Sequence, residues 1–318
     1  YSNIVCGSNG EKASIIDYGN VMVKYAPGIM PRNYPYAVTI TSRGCPYKCI
    51  FCAGRTISGK KMRFRSSENV LREIDTLYSQ GIREIIFMDD HFLANRKRAL
   101  DIMNGLKEYP DLTWKCGNVC IWSLDKIILE IMYDSGCNFI VVSIESGDQW
   151  VLDNIIKKPV KLSNVPRILD LAKKIGFDIT ANFVIGFPGE TWEQIRRTFR
   201  FAESLNVDIV NFHIATALPK TELMKQCVDM GLLPSNLLDV INMQSGYGKG
   251  LITTDEFTST ELEILRAFEW DRINFASDSR TKTIMRLNGI TDDELKSWRK
   301  STRVNLGVNK LISNIVSR

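Results

Sequence analysis

Tyr36-Ala37-Val38-Thr39-Ile40-Thr41-Ser42-Arg43-Gly44-Cys45-Pro46-Tyr47-Lys48-Cys49-Ile50-Phe51-Cys52 is the stretch from which the fold is read. Residues 36–42 alternate in the period of a β-strand. Gly44 and Pro46 then punctuate a turn, so Cys45, Cys49 and Cys52 fall on a loop at the strand's carboxyl end. Thiolates that close together can converge on one soft metal centre. A structural zinc site wants four protein ligands, and no fourth stands nearby. An iron–sulfur cube also has four irons, and a cube held by three cysteines leaves one iron open to a ligand. A zinc loop or three unrelated buried thiols rank below the cube, because no second C-x2-C or C/H pair follows at zinc-finger spacing.

Outward from this loop the chain alternates strand-like and helix-like segments. Strands are expected at 84–88, 112–116, 138–144, 178–185 and 208–214. Helices are expected at 67–80, 95–108, 123–135, 163–175, 191–205 and 220–230. Ser66-Ser67-Glu68 caps the first helix and Gly81 ends it, with Val70, Leu71, Ile74 and Leu77 on one face. The expected fold class is α/β: a partial (β/α)6 TIM-type barrel with a short N-terminal extension and C-terminal helices. Its ligand chemistry belongs at the carboxyl ends of the strands. The expected division is 1–34 as extension and linker, 35–231 as barrel, and 232–318 as an extension that shapes or covers a substrate pocket. Within 1–34, Val21 to Tyr25 reads as a short β-element. Residues 232–256 read as loop, with Gly246, Gly248 and Gly250. Two helices follow near 258–278 and 291–303, the first carrying a stripe of Leu262, Leu265, Phe268 and Ile273.

The 318 residues are 44% hydrophobic and 24% charged, an ordinary globular composition. The net charge of +5 tolerates anionic ligands, but no Lys/Arg run points to a nucleic-acid binder. No apolar stretch approaches membrane-spanning length and no signal-like segment opens the chain. Eight cysteines in such a chain point to a reducing, cytoplasmic setting.

Cys45, Cys49 and Cys52, with Phe51 before the last, resemble the signature of the radical S-adenosylmethionine (radical SAM) enzymes. The resemblance implies that these cysteines hold a 4Fe–4S cluster whose fourth iron is chelated by SAM. It further implies a 5′-deoxyadenosyl radical that abstracts hydrogen from a small-molecule substrate, and a flavodoxin- or ferredoxin-type electron donor. Asp89 and Asp90 end the second strand where the family holds the methionyl amino group. An N-cap pair for the next helix is the competing reading. Ser143 and Glu145 end the fourth strand, and Ile144-Glu145-Ser146-Gly147 resembles the family's ribose contact. Val184-Ile185-Gly186-Phe187-Pro188-Gly189-Glu190 resembles the region where strand backbone meets adenine, with Asn182 near the place of a missing first glycine. Phe51, Gly186 and Ile214 complete the expected SAM contacts. The order of these motifs, over about residues 36 to 230, is most similar to the branch that often carries a cobalamin-binding domain. Residues 1–34 are too few for that domain, so either the chain works without cobalamin or the domain lies upstream of Tyr1.

Cys116 and Cys120 flank the end of the third strand, and the resemblance makes them candidate hydrogen-atom donors, with interior packing the leading reading for Cys116. Cys137 reads as core. His213 reads as a hydrogen-bonded core residue, and His91 as a ligand contact or loop filler. Arg55, Lys60 and Lys61 read as a solvated basic loop. Three functions follow in order: hydrogen abstraction from a small molecule, cobalamin-dependent methyl transfer, and a non-enzymatic zinc or nucleic-acid-binding module.

Overall fold

The computed structural model describes residues 4–6, 32–117, 119–234 and 250–305. The expected short β-element at 21–25 and the glycines at 246 and 248 lie outside them. Six parallel strands form two half-sheets. β1 (Ile4–Cys6) pairs antiparallel with β2 (Tyr36–Thr39), which runs parallel to β5 (Glu84–Phe87), and β5 runs parallel to β6 (Thr113–Cys116). β7 (Phe139–Glu145), β8 (Asp178–Ile185) and β9 (Ile209–Ile214) form the second half. Among the described residues, Val119 joins the halves through one parallel bridge to Val142, its N–H donating to Val141 O at 2.8 Å. The expected partial barrel is present, with its helices packed on the outer face.

The first strand stops at Thr39, short of the expected Ser42. Asp89, at the end of β5, draws the chain aside. Its carboxylate accepts from Thr41 N, Thr41 Oγ1 and Ser42 Oγ at 2.5–2.6 Å. Ser42–Arg43 (β3) then pairs antiparallel with Arg63–Phe64 (β4) and closes the cysteine loop. Gly44 sits at φ 95°, and a Cβ there would stand 2.3 Å from Lys61 O, so no other residue fits.

The helices follow their caps. Ser66 caps Ser67–Ser79, burying Val70, Ile74 and Leu77, and Asn95 caps Arg96–Leu106. The third begins at Lys126 behind Asp125, three residues later than expected, because Ile121–Ser123 forms a 3-10 turn. Val165–Ile175 ends at Gly176, and Trp192–Ser204 starts in a Thr191/Gln194 capping box. Glu222–Asp229 completes the barrel set. A π-helix at Val151–Ile156 was not expected.

Three C-terminal helices stand where two were expected: Ser259–Asn274, Asp278–Asn288 and Asp292–Asn305. The first breaks at Phe275 because Ser277 caps a new helix on Arg280 N. Its expected stripe is corrected too: Leu262 and Ile273 are buried, but Phe268 is 62% exposed. This helix covers the free edge of β9. Buried Asn274 accepts from Val210 N at 2.9 Å and donates to Val210 O at 2.8 Å, while Arg266 Nη1 donates to Phe212 O at 3.2 Å. An open edge is thereby satisfied without another strand.

Candidate cluster and cofactor site

The cysteine loop is held from both half-sheets. Asp90 Oδ2 accepts from Gly44 N at 2.7 Å, and Cys45 N donates to Gly59 O at 3.1 Å. Ile50 N donates to Ile156 O at 3.1 Å, and Ile50 O accepts from Leu223 N at 3.0 Å. Tyr47 accepts from Trp122 Nε1 at 2.8 Å and packs on His91. His91 is buried in this aromatic group, and burial lowers its pKa.

The sulfurs have the surroundings of thiolate ligands. Gly54 N donates to Cys52 Sγ at 3.3 Å, and the Tyr47 backbone N–H serves Cys45. Burial raises the Cys45 thiol and pushes Cys49 up to about 11, opposed by the Tyr47 N–H at Cys45 and by the Lys158 charge at both. The metal-free loop therefore carries protons that a metal must displace. Among the described residues, no three His, Cys, Asp or Glu side chains converge as ligands of one ion would. Ligands of a cube need not, since each cysteine holds a different iron. The donor set fits a cube with one open iron.

Beside the loop lies a buried ion pair. Glu145 Oε1 and Lys158 Nζ stand 2.6 Å apart, with side chains 6% and 7% exposed. Glu145 sits at φ 74°, at a register shift between Ser143 and Glu145. Burial opposes the Lys158 charge, but Glu145, Cys49 and Cys120 together raise its pKa. The reading of a Glu after an apolar strand required a partner, and Lys158 is that partner. It was missed because it lies past the π-helix, where periodicity carries no signal.

A cavity of about 470 Å³ opens inside the half-barrel. Of the expected SAM contacts, Phe51, Ser143, Glu145 and Ile214 line it. Asp89, Asp90 and Gly186 stand outside this lining. Both oxygens of Asp89 are taken by Thr41 and Ser42, and neither Asp caps the next helix, a role that falls to Asn95. Gly186 adopts φ 86° and an added Cβ would meet Leu262 at 2.4 Å. Its N–H donates to Glu190 Oε2 at 2.7 Å, alongside Phe187 N at 3.1 Å. Burial pushes Glu190 up to about 8, so it is a neutral acid over most of the physiological range.

Cys116 and Cys120 also stand outside the lining. Cys116 is core, and burial raises its thiol well above the ordinary range. Burial pushes Cys120 up to about 12, and it lies within electrostatic reach of Lys158, Cys45 and Cys49. Cys137 is core, as read. His213 lines the cavity rather than the outer core, and burial with nearby Arg266 lowers it to about 4. Arg266, Trp270 and Trp298 from the C-terminal helices line the cavity as well. They carried no motif, and only the fold brings them to it.

The description "Radical SAM superfamily" matches residues 39–202. An uncharacterized methyltransferase of Pyrococcus horikoshii is 36% identical over 201 residues, covering 63% of this chain and 43% of that protein. The cytidylyl-2-hydroxyethylphosphonate methyltransferase of Streptomyces wedmorensis is 30% identical over 201 residues, covering 61% and 38%. The match thus spans less than half of either relative. The radical SAM methyltransferase TsrM of Kitasatospora setae, solved with cobalamin and a [4Fe-4S] cluster, superposes with a TM-score of 0.56 at 18% identity, covering 63% of this chain and 41% of that one. With more than half its length matched, and with the three-cysteine loop at the mouth of a half-barrel, the chain belongs to the radical SAM superfamily.

Proposed function

We propose that this chain is the cluster- and SAM-binding core of a radical methyltransferase that uses cobalamin. Methyl transfer stood second to simple hydrogen abstraction in the sequence. The curated relatives' names move it ahead. One observation carries the reading: the Cys45/Cys49/Cys52 loop, clamped to Ile156 and Leu223, places Phe51 on the wall of a cavity that Glu145, held by buried Lys158, also lines. Cys45, Cys49 and Cys52 would hold the cluster, each giving up a proton to do so. When bound, the cluster and SAM supply one-electron cleavage of a sulfonium, and cobalamin supplies methyl carriage.

Glu145 would accept from the ribose hydroxyls while Lys158 holds it in place. Phe51 and Ile214 supply apolar walls and Ser143 a hydroxyl. The helices of 259–305 shape the substrate end and exclude water from it. Asp89 and Asp90 set the loop's position through Thr41, Ser42 and Gly44, so their contribution to SAM binding runs through the loop. Lys48 and Lys157, exposed beside a shallow depression next to Tyr47, offer a basic landing for an acidic flavodoxin- or ferredoxin-type donor in the cytoplasm. Among the described residues no helix is long and apolar enough to cross a membrane.

The test is anaerobic reconstitution with iron and sulfide, followed by dithionite and SAM. A brown protein that forms 5′-deoxyadenosine supports the core reading, and S-adenosylhomocysteine on adding methylcobalamin and substrate supports methyl transfer. Cys49→Ala should take up almost no cluster and cleave no SAM. A wild-type protein that binds iron yet leaves SAM intact under strong reductant would overturn the proposal.

A further inference from the structure

Across the sheet from Glu145, level with Phe212 on β9, the cavity continues to the C-terminal helices, and the SAM reading does not use that side. Its walls are the C-terminal helices, which present Arg266 and Trp270, then Ile284, then Trp298. Each helix contributes from one face, at the four-residue spacing of neighbouring turns.

The polar groups there are incompletely satisfied. Arg266 spends one N–H on Phe212 O, yet its Nε is buried and has no acceptor among the described residues. Among the described residues no carboxylate stands within ion-pair distance of it. Glu263, which it feels electrostatically, accepts from Gly250 N at 3.0 Å. Thr180 Oγ1, also on the lining, is likewise buried without a partner. Beside them Asn182 Oδ1 accepts from Asn211 Nδ2 at 3.1 Å, and Asn211 Oδ1 from Trp270 Nε1 at 3.4 Å, so those amides are already oriented. Covering the edge of β9 needs one N–H of Arg266, and Asn274 holds the rest of that edge. A largely buried guanidinium without a paired anion is costly to the fold. Its planar fork matches a carboxylate. Trp270 and Trp298 give the surrounding space aromatic walls.

We propose that this helix side of the cavity is a subsite for an aromatic carboxylate, its anion paired with Arg266 and its ring against Trp270 and Trp298. The proposal rests on the reading of the Glu145 side of the cavity as the SAM site, since it assigns the helix side to the second substrate.

The probe is 2-naphthoate, titrated against neutral 2-naphthamide by equilibrium dialysis on the anaerobically reconstituted protein with SAM bound. The acid should bind about tenfold or more tightly than the amide, the scale of one charge-assisted pair. Arg266→Met should erase that preference while cluster absorbance and SAM cleavage stay at the parent level, and Arg266→Lys should restore part of it. Equal affinity for acid and amide, absence of binding by either, or a preference that survives Arg266→Met would overturn the proposal. Naphthoate selectivity in a protein that takes up no iron would instead sink the proposed function and leave the subsite standing.

Discussion

Glu190 shows how a single buried group sets a pH dependence. Its carboxyl, ordinarily near 4.5, lies near 8 because it is buried, even though Gly186 and Phe187 donate to it. The folded chain therefore keeps a proton that the unfolded chain releases between those values. The stability this acid contributes is full below about pH 4.5 and is lost as pH rises through about 8. Glu190→Gln keeps the acceptor oxygen without the charge. It should flatten the fall in urea midpoint between about pH 5 and about pH 9 and leave the variant the more stable at the upper end. His213 has the opposite sign. Its value near 4 lies below the ordinary 6.5, so its contribution is present above 6.5 and lost as pH falls through 4. The Glu145–Lys158 pair adds a third case. Lys158→Met strands a buried carboxylate and should cost about 3–5 kcal/mol, most of it recovered by adding Glu145→Leu. An unchanged unfolding midpoint in Lys158→Met would show that water reaches the pair. Of these residues the sequence exposed Glu145, because a charge ending an apolar strand is conspicuous. Lys158, among several lysines of similar context, was not.

At the level of elements, periodicity located all six barrel strands and the helices between them. It failed where side chains from distant elements decide the backbone. The first strand ends early because of Asp89, 50 residues beyond Thr39 in sequence, and no pattern within 36–42 announces it. The helix expected over 258–278 breaks at Phe275 because Asn274 turns inward to pair with β9 and Ser277 starts a new helix. The π-helix at Val151–Ile156 ends in Lys157 at φ 60°, and that reversal carries Lys158 into the interior. Wide turns of this kind are favoured near functional sites, and sequence period does not separate them from ordinary helix. The β3–β4 ribbon permits a direct test. Gly44→Ala forces a Cβ onto Lys61 O in a left-handed conformation. The barrel should fold with unchanged far-ultraviolet dichroism, while iron uptake on reconstitution falls several-fold. Wild-type iron uptake would mean that the ribbon does not set the spacing of the sulfurs.

Across the whole molecule, the weak place in the sheet and the candidate site coincide. Within each half, neighbouring strands are joined by runs of paired residues, but among the described residues the halves meet at one bridge, Val119 to Val142. The cysteine loop spans the same division. Asp89 and Asp90 fix it to the first half, and Ile50 ties it to Ile156 and Leu223, beyond the second. A loop that must hold a rigid cube while bonded on both sides should stiffen the division when loaded. Amide exchange makes this measurable, because local opening free energy differs between strand cores and loosely paired segments. In the metal-free chain, Ile50, Val119 and Leu223 should exchange well ahead of Ile86 in the middle of β5. Reconstitution should slow Ile50 and Leu223 strongly, Val119 less, and Ile86 hardly at all. Protection that rose equally at Ile86 would mean that the cluster stabilises the barrel globally. Protection unchanged at Ile50 would mean that the loop is already as rigid empty as filled, and the two halves would then owe their alignment to the bridge and the packed helices alone.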